Sequence, residues 1–196
     1  WAPNVAEVLQ RMIAEFFNPA HISVLTGDET LSAELVELDV DHIFFTGSTQ
    51  VGRLIAQSAG SRLIPCTLEL GGKSPCIVDQ TADLKITARR IAWGKFMNAG
   101  QTCIAPDYVL CPKDKVSEFV EAMTKQLEKM YPSIKDNDDY TSIIHDRHRK
   151  RLLDMVADAQ EKGANVHVHN PKNEDLSNKL APHILDNVDL ESRIMK

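Results

Sequence analysis

Ile43-Phe44-Phe45-Thr46-Gly47-Ser48-Thr49-Gln50-Val51-Gly52 reads as a buried strand that runs directly into a glycine-containing turn and then a helix. Gly47 allows the chain to turn sharply at the strand end, and Gly52 allows a helix to close on a sheet. Leu54 and Ile55 carry that helix on to Ala59. Open backbone N–H groups at its start, together with the helix dipole, suit an anion, and the Ser48 hydroxyl can add one hydrogen bond. The spacing is not G-x-G-x-x-G, so by spacing alone these residues read as an ordinary strand-to-helix turn more readily than as a phosphate site.

On the N-terminal side, Val5, Val8, Leu9, Met12, Ile13 and Phe16 recur at helical spacing, with Asn4 as N-cap and Glu7 completing a capping box. Ile22–Leu25 reads as a short strand stopped by Gly27-Asp28, Thr30–Leu38 as a short helix, and Ile64–Leu68 as a strand. This alternation predicts an α/β fold with parallel pairing. It continues through an Ile77-Val78 strand, a Leu84–Met97 helix with Trp93 and Phe96 in its core face, and a Tyr108–Cys111 strand. Next come a Val116–Met130 helix, an acidic turn at Asp136–Asp139, and an Asp146–Lys162 helix ended by Gly163. Val166–His169 and Ile184–Val188 read as strands around a polar surface loop at Asn170–Asn178.

A chain of 196 residues with 43% hydrophobic content suits one large domain or two small ones with a core of their own. The net charge of −6 argues against a general nucleic-acid binder. No stretch approaches the roughly 20 apolar residues of a bilayer span. Four cysteines without C-x-x-C spacing form no disulfide framework, and the start shows no secretory pattern, so a reducing compartment is expected. Both ends read as cut from a longer protein.

Two segments stand out chemically. Leu68-Glu69-Leu70-Gly71-Gly72-Lys73-Ser74-Pro75 sets a carboxylate between leucines at a strand end. An apolar flank favours the neutral acid and makes a carboxylate a usable base near neutrality. Asn98-Ala99-Gly100-Gln101-Thr102-Cys103 delivers a thiol after a small, polar loop that substrate can approach. The Cys103 N–H is placed to stabilise an oxyanion. Together they suit thiolate attack on a carbonyl carbon, with the carboxylate activating the thiol or a releasing water. A strand-capping Glu69 and an inertly packed Cys103 remain the alternative. Cys66, Cys76 and Cys111 fall in strand-like runs and read as small core residues.

Lys73 and Lys95 can support the site electrostatically or lie on the surface. His145-x-x-His148 and His167-x-His169 lack a completing ligand set, so no metal is expected. Arg147–Arg151 reads as a solvated helix face.

Phe44–Gly52, Leu68–Pro75 and Asn98–Cys103 resemble motifs of the aldehyde dehydrogenase superfamily, and the 34-residue separation of Glu69 and Cys103 agrees with its spacing. Arg90–Met97 and Ala105–Tyr108 resemble its class 3 branch, which includes fatty and aromatic aldehyde enzymes. The resemblance implies a partial Rossmann-like cofactor domain over 1–68, followed by part of an α/β catalytic domain over 69–196. It implies Cys103 as nucleophile, Glu69 as base for water, Gly47, Ser48 and Gly52 as the cofactor turn, and backbone near Leu70 and Gly71 beside the nicotinamide of NAD or NADP. A small-molecule aldehyde is the implied substrate, and no nucleic acid is implied.

The family's Pro-Trp-Asn and Glu-x-Phe-Gly-Pro segments, a ribose-binding Lys and a dimer-forming strand are not among these residues. The chain alone is therefore expected to be inactive. The complete protein is expected to be a homodimer, cytoplasmic or on the cytosolic face of a membrane, with any membrane attachment through a C-terminal tail. A non-catalytic fragment or scaffold that keeps the fold is the alternative.

Overall fold

Strand-forming, apolar Ile43–Gly47 (β1) and Cys66–Leu70 (β2) pair in parallel, with Ile43 opposite Cys66 and Gly47 opposite Leu70. Parallel partners need a crossover, and Thr49–Ser61 (α3) provides it. This computed structural model describes residues 2–177 and 179–196, so the ends of two expected segments, Trp1 and Asn178, lie outside the described residues. The chain divides into two units, Trp1–Gly71 and Gly72–Lys196.

In the first unit, Pro3–Phe16 forms α1 and Glu29–Val36 forms α2. The Asn4 capping box does not form. Pro3, whose fixed φ and missing N–H suit the first helical position, starts the helix two residues earlier, and Ala2 flanks it. Asp28 caps α2 by accepting from Thr30 N at 3.0 Å and Leu31 N at 3.3 Å. The Arg62 guanidinium donates to the Leu38 carbonyl at 2.8 Å and to the Val36 carbonyl, placing a cation at the C-terminal end of α2. Ile22–Leu25 is not a strand. It finds no ladder partner among the described residues, and the Val24 carbonyl accepts from the Gln10 side chain instead.

The second unit begins with Ser74–Ile77 (β3), which pairs in parallel with Pro106–Leu110 (β4) across Leu84–Phe96 (α4). Val116–Met130 forms α5 and Asp146–Glu161 forms α6. Asn165–Val168 (β5) and His183–Asp186 (β6) close an antiparallel pair. Leu84, Ala88, Ile91, Ala92 and Phe96 of α4 meet Phe119, Met123 and Leu127 of α5, at i, i+4 and i+7 or i+8 spacing. Tyr131, Ile134 and Tyr140 extend this core. Trp93 corrects the sequence reading: it is 63% exposed, because α4 already turns Ala92 and Phe96 inward.

The polar loop after β5 is tied into the body. The Glu174 carboxylate accepts from Ile134 N at 2.7 Å, Lys135 N at 3.2 Å and Ser133 Oγ at 2.8 Å. The Ile134 amide above all, then Ser133 and Lys135, holds its carboxyl below the usual glutamate range.

Candidate active site

The parallel register of the first unit brings Gly47 beside Leu70 and Thr46 beside Glu69, at the C-terminal ends of both strands. Ligands of open α/β sheets bind at such strand ends. Ser48 is the N-cap of α3, its Oγ accepting from Val51 N at 3.2 Å. That leaves the hydroxyl proton to donate. The Thr49 and Gln50 N–H groups donate to nothing among the described residues. The turn therefore offers two open amides, a hydroxyl and a helix N-terminus, which fits a phosphate group.

Gly52 is buried, and a Cβ there would stand 2.7 Å from Leu70 Cδ2, so this glycine lets α3 close on the end of β2. A Cβ at Gly71 would meet nothing within 4 Å, so the backbone there is open to approach.

Glu69 departs from one expectation. Leu68 and Leu70 do not enclose it, because strand residues alternate between faces: both leucines are half-buried while Glu69 is exposed. The carboxylate is reachable by water.

In the second unit the thiol stands on an unusual piece of backbone. After α4, Asn98 (φ 53°, ψ 34°) and Ala99 (φ 52°, ψ 30°) are left-handed, and Gly100 follows with φ 79°. Left-handed L-residues normally occur singly. Gly100 is required here by its φ, and a Cβ there would also crowd the Lys95 carbonyl at 3.1 Å. Cys103 is exposed, and its N–H donates to nothing among the described residues. Cys66, Cys76 and Cys111 are half-buried, and burial pushes the Cys111 thiol up, with Asp114 adding to the shift.

A charged cluster lies in the same unit. The Lys73 ammonium pairs with Asp107 and donates to the Ile194 carbonyl at 2.7 Å. Lys95 Nζ is 3.9 Å from Asp107. Burial pulls the Lys95 pKa down against the opposing pull of Asp107. Both lysines thus have a partner in Asp107, which sequence reasoning passed over. The β3–β4 register, with Ser74 opposite Pro106, is what brings it to Lys73.

The expected site residues are thus divided. Gly47, Ser48, Gly52, Glu69, Leu70 and Gly71 belong to the first unit, and Cys103 to the second. Among the described residues no group of three His, Cys, Asp or Glu side chains could hold a metal. His145 and His148 stack with ring centroids 4.0 Å apart, and His167 pairs with Asp186 at 2.7 Å.

Comparison with known proteins bears on this geometry. The sequence model of the aldehyde dehydrogenase family matches residues 1–196. The chain is 40% identical over 195 residues to the 4,4'-diaponeurosporen-aldehyde dehydrogenase of Staphylococcus aureus, covering 99% of this chain and 42% of that protein. It is 41% identical over 194 residues to the dimeric, NADP-preferring aldehyde dehydrogenase of Mus musculus, covering 98% of this chain and 42% of that protein. A structure of the substrate-bound state of Staphylococcus aureus AldH aligns with TM-score 0.87 at 39% identity, over 99% of this chain and 42% of that one. The chain therefore spans less than half the length of these relatives.

Proposed function

The chain belongs to the aldehyde dehydrogenase family, and from that premise we propose that the protein carrying it oxidises an aldehyde to a carboxylic acid, using NAD or NADP and a covalent adduct on Cys103. The observation that carries this reading is the exposed Cys103 thiol with an open N–H, in a chain matched along its whole length.

The Cys103 sulfur, as thiolate, bonds to the aldehyde carbon while the carbonyl π pair moves to oxygen, giving a thiohemiacetal oxyanion. The Cys103 N–H donates to that oxygen. A nicotinamide, when bound, would supply the acceptor for the hydride that leaves that carbon. Cys103 is left as a thioester. Glu69, exposed at the end of β2, takes a proton from water, which attacks the thioester carbon. The C–S bond breaks, and the products are the acid and the free thiol.

Residues 1–68 contribute to the cofactor domain, and residues 69–196 carry the thiol. Ser48 with the Thr49 and Gln50 amides would hold the pyrophosphate. Backbone at Leu70 and Gly71, open to approach at Gly71, would border the nicotinamide. Gly47 and Gly52 set the turn and the seating of α3 that open this space. The protein works as a homodimer, a reading supported by the dimeric mouse relative. Four free cysteines favour a reducing, cytosolic setting.

Turnover of an aldehyde, followed as NAD(P)H formation, tests the reading. Cys103→Ser is expected to lower kcat by about 10³-fold or more. Full activity in that variant removes Cys103 from the mechanism.

A further inference from the structure

We infer that Gln101 is a positioning residue for the Cys103 thiol, its carboxamide bolting the left-handed loop to residues 142–144. This rests on the reading of Cys103 as nucleophile. Three consecutive left-handed residues, Asn98, Ala99 and Gly100, do not sustain themselves and need surroundings that hold them. Bonds within the loop come from Gln101 N to the Asn98 carbonyl at 3.1 Å and from Asn98 Nδ2 to the Gln101 carbonyl at 3.1 Å. These move with the loop and cannot fix its place in the unit.

The Gln101 side chain does fix it. Nε2 donates to the Asn98 carbonyl at 3.1 Å and to the Ser142 carbonyl at 3.1 Å, while Oε1 accepts from Ile144 N at 2.9 Å. Both N–H donors and the acceptor of one amide are used, across 41 and 43 residues of sequence. The chemistry also sets its orientation: two carbonyls require the NH₂ end, and one N–H requires the oxygen. Ile143, between the two outer partners, is buried and anchors that segment.

Cys103 makes no hydrogen bond of its own among the described residues. Its position is therefore inherited from the chain on either side. Buried Ala105, whose N–H reaches the Thr102 carbonyl at 3.1 Å, holds the far side. Gln101 holds the near side, two residues away. A carboxamide in this role serves better than a carboxylate, which would set charge against two carbonyl oxygens.

The test uses Gln101→Met, which keeps length and removes every side-chain hydrogen bond, in the complete enzyme carrying this chain. Four quantities are measured: kcat and KM for an aldehyde, the rate of Cys103 alkylation by iodoacetamide mapped on its peptide, and the melting temperature. Misplacement of a reacting atom by about 1 Å costs about 10²-fold, so kcat is expected to fall about 10- to 100-fold, with KM changed far less. Cys103 alkylation is expected to change with it. Leu127→Ala, in the core away from the loop, serves as the stability control, with all rates taken well below both melting points.

The inference is overturned if Gln101→Met keeps its kcat and alkylation rate, or if Leu127→Ala lowers kcat as much. Undiminished turnover in Cys103→Ser would instead sink the functional reading. The Gln101 effect on Cys103 alkylation is still read in that case, and no change there overturns the positioning role alone.

Discussion

The two units of this chain differ in what they bury. In Gly72–Lys196, α4 and α5 interleave so that Ala88, Leu127 and Ile134 are 0% exposed. Among the described residues of Trp1–Gly71 only Gly52 and Ala59 are buried within a helix, while Phe44 is 66% exposed and Val8, Leu9, Met12 and Phe16 line the outside of α1. The second unit thus has a core of its own. The first has well-formed local structure, with caps and a parallel strand pair, and apolar faces that further protein surface would have to cover. Helices draw most of their stability from packing rather than from local propensity, so correct secondary structure in the first unit does not make it independently stable.

The largest expected effect lies in the core. In denaturant titration of the chain, Leu127→Ala is expected to cost about 3–5 kcal/mol, the range for a large-to-small change at a fully buried leucine. Val8→Ser in α1 is expected to change stability by less than about 0.5 kcal/mol. Equal costs would break the contrast.

Helix caps sharpen it at smaller magnitude. Asp83 caps α4 by accepting from Ile86 N at 3.0 Å, much as Asp28 caps α2. Asp83→Ala is expected to lower global stability by about 1 kcal/mol. Asp28→Ala loses similar bonds, yet hydrogen exchange should report only local fraying of α2, because that helix has no buried residue of its own. A global loss from Asp28→Ala as large as that from Asp83→Ala would show coupling the burial pattern lacks.

The smallest expected effect is on pH dependence. Burial lowers the His183 pKa from 6.5, only partly offset by the Ala181 carbonyl, which accepts from its ring at 2.7 Å. The unfolded chain then binds the proton more readily than the folded one. The stabilisation is whole above the unfolded value and is lost as pH falls through it towards the folded one. Glu174, also held low, adds a loss of the same sign in more acidic solution. Unfolding of the second unit should therefore become easier between about pH 7 and about pH 5, and His183→Gln should flatten that slope. An unchanged slope would assign the effect to other groups.

What the sequence revealed and what it hid follow from the range of the interactions. Ile43–Phe45 and Leu84–Met97 are legible because periodicity and punctuation are local signals, and the Gly47–Gly52 turn announces strand-to-helix geometry. Ile22–Leu25 misleads because a strand exists only with a partner, and partnership is not local. The Asn4 cap misleads because Pro3 offers a stronger start. For the site, Cys103 and Glu69 stand out by residue type and spacing, but the exposure of Glu69 depends on strand alternation. The Gln101 clamp spans more than forty residues of sequence and leaves no local mark.

The most direct test of the central claim is to trap the acyl group on sulfur. Glu69→Gln is expected to slow thioester release, so the complete enzyme in this form, mixed with aldehyde and NAD(P), should gain one acyl group on the Cys103 peptide by mass spectrometry, and none when the nicotinamide is omitted. Acylation at another residue, or none at Cys103 while turnover continues, would contradict the account.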